Sequence, residues 1–187
     1  MVTKTTEKKV KKRKWHEILS KDFNNIILGE IITKDPNSVL GRVLKVNLGN
    51  LIRDIKLQNV TVSFKIVGLD GEKFQTEIYG YSLSSSYTKR IVKTKKTKID
   101  DSFICESKDK IKVRIKPLIV TRNNINRSLA TLIRKESIKL IKDYLSKNDY
   151  YAFFRSLIDK KFGAEFKKTL NKIYPLSIFE IRIMKRL

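Results

Sequence analysis

Residues 60–79 read VTVSFKIVGLDGEKFQTEIY, and this stretch sets the class of the fold. Val60, Val62, Phe64 and Ile66 alternate with Thr61, Ser63 and Lys65. That period of two places successive side chains on opposite faces of a strand. Leu69-Asp70-Gly71-Glu72 supplies a turn, and Lys73 to Tyr79 returns as the antiparallel partner. Upstream, Leu44, Val46 and Leu48 alternate with Val43, Lys45 and Asn47 as a further strand. Downstream, a second hairpin is expected from Ile99 to Val120, with its turn near Ser107-Lys108-Asp109. Between the hairpins, Leu83, Tyr87 and Ile91 recur at the spacing of a short helix.

The last third changes period. Ile125, Leu129, Leu132, Ile133, Leu140, Ile141, Tyr144 and Leu145 follow helical spacing, with Asn123 or Asn124 available as N-cap. A second helix is expected from Asp149 to Lys161, burying Phe153, Phe154, Leu157 and Ile158, and a third from Ala164 to Ile173. Pro175 stops it, and Phe179, Ile181 and Ile183 alternate as a final strand. The class is α+β: an antiparallel sheet or partly closed β-barrel with a short inserted helix, followed by C-terminal helices and a final strand. Residues 1–14 form a basic arm too poor in apolar residues to fold alone, and residues 15–187 form one domain, with Trp15 as a packing anchor at its start.

The chain of 187 residues carries 42 Lys and Arg against 19 Asp and Glu, a formal net charge of +23. Such self-repulsion is relieved by a polyanion. No apolar run approaches the roughly 18 residues of a spanning helix, so a membrane is not the expected partner. One cysteine, Cys105, excludes an intramolecular disulfide and any multi-cysteine zinc site. These features point to a reducing, cytoplasmic setting and to nucleic acid.

The charge is unevenly placed. No acid lies between Glu77 and Asp100, where Lys89, Arg90, Lys93, Lys95, Lys96 and Lys98 stand. None lies between Asp109 and Glu136, where Lys110, Lys112, Arg114, Lys116, Arg122, Arg127, Arg134 and Lys135 stand. In Lys110-Ile111-Lys112-Val113-Arg114-Ile115-Lys116, a strand would turn Ile111, Val113 and Ile115 to the core and the four cations outward. Same-face side chains lie about 6.5 to 7 Å apart, close to the step between phosphates. The competing reading is an edge strand charged against aggregation. On the short helix, Lys89, Lys93 and Lys96 are expected on one outer face. The arm adds Lys8, Lys9, Lys11, Lys12, Arg13 and Lys14. Contacts of these kinds go mainly to phosphate and sugar.

Catalytic chemistry finds little support. His16 is the only histidine and is expected at the surface or an interface, and Cys105 reads as a small core residue. Asp100 and Asp101, adjacent on a strand, point to opposite faces and suit salt bridges better than one shared metal. No cofactor, metal site or Gly-rich phosphate loop is expected.

Several landmarks carry a resemblance. They are Lys14-Trp15 followed by Glu17; Gly29-Glu30; Asp35-Pro36; Leu40-Gly41-Arg42-Val43; Thr97-Lys98-Ile99-Asp100-Asp101; Lys112 to Pro117; and Lys172-Ile173-Tyr174-Pro175-Leu176 with Glu180-Ile181-Arg182. In this order the chain resembles the small-subunit ribosomal protein family S-one-e, also called S-three-A-e. Without the long C-terminal extension of eukaryotic members, it is similar to the archaeal branch. The resemblance implies a structural, non-enzymatic place on the ribosomal platform near the mRNA exit. The expected partners are small-subunit rRNA, neighbouring ribosomal proteins and mRNA close by. The alternatives are a free RNA chaperone or translation regulator, and a metal-dependent nuclease using Asp100, Asp101 or Glu106.

Overall fold

The computed structural model describes residues 13–187, which contain nine strands and five α-helices. The described backbone groups into two units, residues 13–44 with 64–78 and residues 45–63 with 79–187. Lys8, Lys9, Lys11 and Lys12 of the basic arm lie outside the described residues.

The first unit opens with β1 (Lys14–Ser20) and β2 (Ile26–Thr33), an antiparallel hairpin in which Trp15 faces Ile32 and Glu17 faces Glu30. Asn24 and Asn25 take positive φ of 50° and 56° in the connection, a conformation that Asn tolerates better than most residues. One face of the hairpin packs down: Ile18 joins Val39, Ile66 and Phe74 in a small core, with Leu28, Ile31 and Leu44 against it. His16 lies on that inner face and is buried, its Nδ1–H donating to the Glu72 carbonyl at 2.9 Å and its ring edge-on to Phe74. His16, expected at the surface or an interface, is therefore buried in this unit with a satisfied nitrogen. Trp15 behaves oppositely. As the neighbour of His16 on a strand it points outward and is 67% exposed, so it anchors nothing in this unit.

The long hairpin is β4 (Val60–Asp70) and β5 (Lys73–Leu83), with Gly71 at φ +63° in the turn, and β3 (Val43–Asn47) pairs with β4. Each of the three runs from one unit into the other. β3 ends one residue before the expected Leu48, because the Asn47 side chain accepts from the Gly49 N–H and starts the short helix α1 (Leu48–Ile52). β1 pairs with β5 in parallel, Ile18 beside Phe74 and Ser20 beside Thr76. This departs from the wholly antiparallel sheet that the hairpins suggest.

In the second unit, β9 (Leu176–Arg186) lies between β5 and β8 (Lys112–Thr121). β6 (Lys98–Asp100) and β7 (Phe103–Glu106) pair with the other side of β8. Gly80 of β5 allows β9 its close approach, since a Cβ there would meet the Met184 carbonyl oxygen at 2.8 Å. A register shift at Lys116/Pro117 changes the phase of β9. Phe179 and Ile181 face the core, but Met184 rather than the expected Ile183 is the next fully buried residue.

The helices follow the expected order with shifted ends. α2 (Ser85–Ile91) is capped by the Ser84 hydroxyl, which accepts from the Tyr87 N–H. α3 (Arg127–Lys147) starts after Asn126, not at Asn123 or Asn124, because the Thr97 hydroxyl takes the Ile125 N–H. α4 (Tyr150–Ile158) and α5 (Lys161–Leu170) meet at Lys160, whose left-handed φ of 56° ends one helix earlier and begins the next sooner than the sequence suggests. Ile133, Ser137, Ile141 and Leu145 form the buried stripe of α3, one residue every four. Beneath it, Phe162 touches Tyr144, Phe153, Phe166 and Phe179 at ring-centre distances of 4.0 to 6.1 Å. Such pairs add about 0.5 to 1.5 kcal/mol each beyond area burial.

Candidate nucleic-acid interface

β8 carries the most ordered set of cations. Val113 and Ile115 are fully buried, which turns Lys112, Arg114 and Lys116 to the opposite face. Lys112 and Arg114 are exposed and Lys116 is half-buried. Lys110 is not part of the row: it lies in the turn before the strand at φ 59°, with its N–H donating to the Ser107 carbonyl. Ile111, expected to face the core from within the strand, also precedes it. β8 has β7 and β6 along one side and β9 along the other, so it is an interior strand. Edge protection needs an unpaired edge and does not account for its charges. The neighbours extend the field. Lys185 of β9 stands opposite Arg114, its ammonium 5.5 Å from the Tyr79 ring centre, while Glu106 of β7 reaches Lys112 only at 3.8 Å.

The second basic region is a helix end and a loop, not one helical face. α2 stops at Ile91, so Lys89 and Arg90 belong to it, whereas Lys93, Lys95 and Lys96 follow. Arg90 lies over the Tyr87 ring at 5.5 Å, and Lys95 adopts φ 63°. Lys96 turns inward, donating to the Ser177 hydroxyl at 3.1 Å, and so leaves the expected outer cluster. Arg122, directly after β8, and Arg127, the first residue of α3, are both exposed. In the first unit Arg13 is exposed, and Lys14 pairs weakly with Glu72 at 3.9 Å.

Two features are absent from the sequence-based expectations. Lys139 and Lys142 continue the exposed side of α3 from Lys135, the one member that stands in an acid-free run, at a spacing of four and three that was available to find. Lys185 and Arg186 are joined to the β8 row only by strand pairing, which no local pattern signals.

The acids beside these cations are committed. Asp100 pairs with Lys98 at 2.9 Å and with Arg182 at 3.1 Å, and Asp101 holds Arg134 at 2.8 Å. They serve separate partners, although only Asp100 lies on β6 and Asp101 follows it, not on the strand as expected. Among the described residues, no group of three or more His, Cys, Asp or Glu could hold a metal ion. Burial pushes the Cys105 thiol up to about 11, so it stays protonated at neutral pH. Glu180 lines a cavity of about 260 Å³ and accepts from the Tyr87 hydroxyl at 2.9 Å. Burial raises its carboxyl above the usual range despite that hydrogen bond and nearby Lys160, and the Tyr87 hydroxyl is pushed up to about 12.

Counted by unit, the net charge separates. The described residues of the first unit hold seven Lys and Arg against seven Asp and Glu, whereas the second unit holds thirty against eleven. Among the described residues, no helix is long and apolar enough to cross a membrane.

A sequence model of the Ribosomal S3Ae family matches residues 2–187. The small ribosomal subunit protein eS1 of Methanopyrus kandleri is 31% identical over 93% of this chain and 85% of its own length. The protein of the same name from Sulfurisphaera tokodaii is 31% identical over 100% and 98%. That from Sulfolobus acidocaldarius is 32% identical over 98% and 94%.

Proposed function

The chain belongs to the ribosomal S3Ae family, and on that premise we propose that it is a structural component of the small ribosomal subunit, held by rRNA and without catalytic activity. The observation that carries the RNA contact is the cationic row of an interior strand, Lys112, Arg114 and Lys116, with Lys185 beside it. Side chains repeating about every 7 Å on a rigid sheet can follow successive phosphates without reading sequence. Lys89, Arg90, Lys93, Lys95, Arg122 and Arg127 extend this contact, and the arm from Lys8 to Lys14 adds to it. Recognition is by RNA shape and backbone. The place that the family resemblance implies is the platform near the mRNA exit, beside other small-subunit proteins in the cytoplasmic ribosome.

Charge reversal tests the contact. The double variant Arg114→Glu and Lys116→Glu should weaken rRNA binding and flatten its salt dependence, by about 0.7 to 0.9 in logarithmic slope for each phosphate no longer neutralised. An unchanged slope would mean that this row faces solvent. Sedimentation tests the assembly: the native chain should travel with small subunits at low salt. Its presence only outside ribosomal fractions would favour a free RNA chaperone.

A further inference from the structure

The outer face of the β1–β2 hairpin has a composition unlike the rest of the surface. Across the two strands, Trp15 stands opposite Ile32, Glu17 opposite Glu30, and Leu19 opposite Ile27. Trp15, Ile27 and Ile32 are 67%, 54% and 43% exposed. Like charges directly opposite on a sheet repel. Lys73 reaches Glu17 at 2.8 Å, but among the described residues no ion pair reaches Glu30. β2 pairs only with β1 among the described strands, so its far edge also offers free backbone donors and acceptors.

We propose that this face docks a basic protein segment with aliphatic or aromatic anchors. The anchors would cover Trp15, Ile27 and Ile32, a cation would settle between Glu17 and Glu30, and the segment's backbone would run along β2. Charge selects this occupant. RNA would set phosphates against two facing carboxylates on a unit whose described residues are electrically neutral. A second copy of the same face would bring the same carboxylates together. The inference rests on the ribosomal reading only for where the partner is met.

The test places a photoreactive benzophenone amino acid at Ile32 of the full chain, in small subunits purified from cells that express it. The same group at Ile55, exposed in the second unit, serves as reference. The expected product is a cross-link to a peptide of another protein rich in Lys or Arg and containing apolar residues. The additional substitution Glu30→Lys should lower that yield about tenfold, as a drop of roughly 1.4 kcal/mol in affinity would. A cross-link to rRNA, a cross-link to a second copy, a yield no higher than at Ile55, or no response to Glu30→Lys would each overturn the proposal. Absence of the chain from small subunits would count against the ribosomal reading instead. The cross-link read in whole-cell extract would then still decide between a basic protein and RNA.

Discussion

The first unit and the second leave different things on the outside. Eight of the fourteen exposed large hydrophobics among the described residues belong to the smaller first unit, from Trp15 to Leu69. The larger second unit exposes the other six, buries an aromatic cluster around Phe162, and shows an excess of cations. The net charge of +23 is therefore not an even coating: the described residues of the first unit contribute nothing, the second unit +19, and residues 1–12 the remaining +4. Composition alone would have assigned polyanion binding to the whole chain. Divided by unit, it puts the excess of cations on the second unit, where the RNA contact is proposed, and leaves the described residues of the first with a surface of a different kind.

The contrast can be challenged at several points. Phe162→Ala should cost about 3 to 5 kcal/mol in urea unfolding, because it opens a cavity among four aromatic neighbours. Trp15→Ala, at an exposed position, should stay within about 0.5 kcal/mol. Equal destabilisation would show that the outer face of the first unit is packed in the free protein. The rRNA salt slope, lowered by reversal at Arg114 and Lys116, should stay unchanged on reversing Lys34 and Arg42 in the first unit. A comparable drop would place RNA on both units.

Smaller effects should follow from titration. The folded pKa of Glu180 is raised, so the folded chain keeps a proton that the unfolded chain has released. Stability should then fall as pH rises from the ordinary value of 4.5 through the raised one, and level off above it. Glu180→Gln should remove that decline in thermal unfolding midpoints measured across the window, and a decline that persists would assign it to another group. Cys105, with its thiol at about 11, should react slowly with iodoacetamide at neutral pH until the chain unfolds. Fast labelling of the folded protein would contradict its burial.

The sequence announced elements whose outer face is polar. β4 and β5 alternate cleanly because Val62, Phe64 and Ile66 go in while Thr61, Ser63 and Lys65 stay out. β3, α2, α3 and β8 were legible for the same reason, with boundaries moved where Asn47 and Thr97 side chains took a backbone N–H and where Lys110 turned to positive φ before β8. β1 and β2 gave no such signal. Their inner face includes His16 and Ser20, and their outer face includes Trp15, Ile27 and Ile32, so neither face reads as purely apolar or polar. The candidate RNA contact was visible as acid-free runs. Which of its cations share a surface was not, since Lys185 meets Arg114 through pairing across about 70 residues of chain.

The position of β9 has a consequence for how this protein is made. The strand nearest the C-terminal end of the sequence fills the middle of the second unit, between β5 and β8. Translation delivers residues 176–186 after everything they pair with, so this unit cannot close until those residues have emerged from the exit tunnel. Until then, two strand edges and twenty-seven Lys and Arg residues wait unassembled, an unfinished state open to wrong partners. A nascent-chain complex halted before residue 176 should show the second unit protease-sensitive, and release past Arg186 should let it resist.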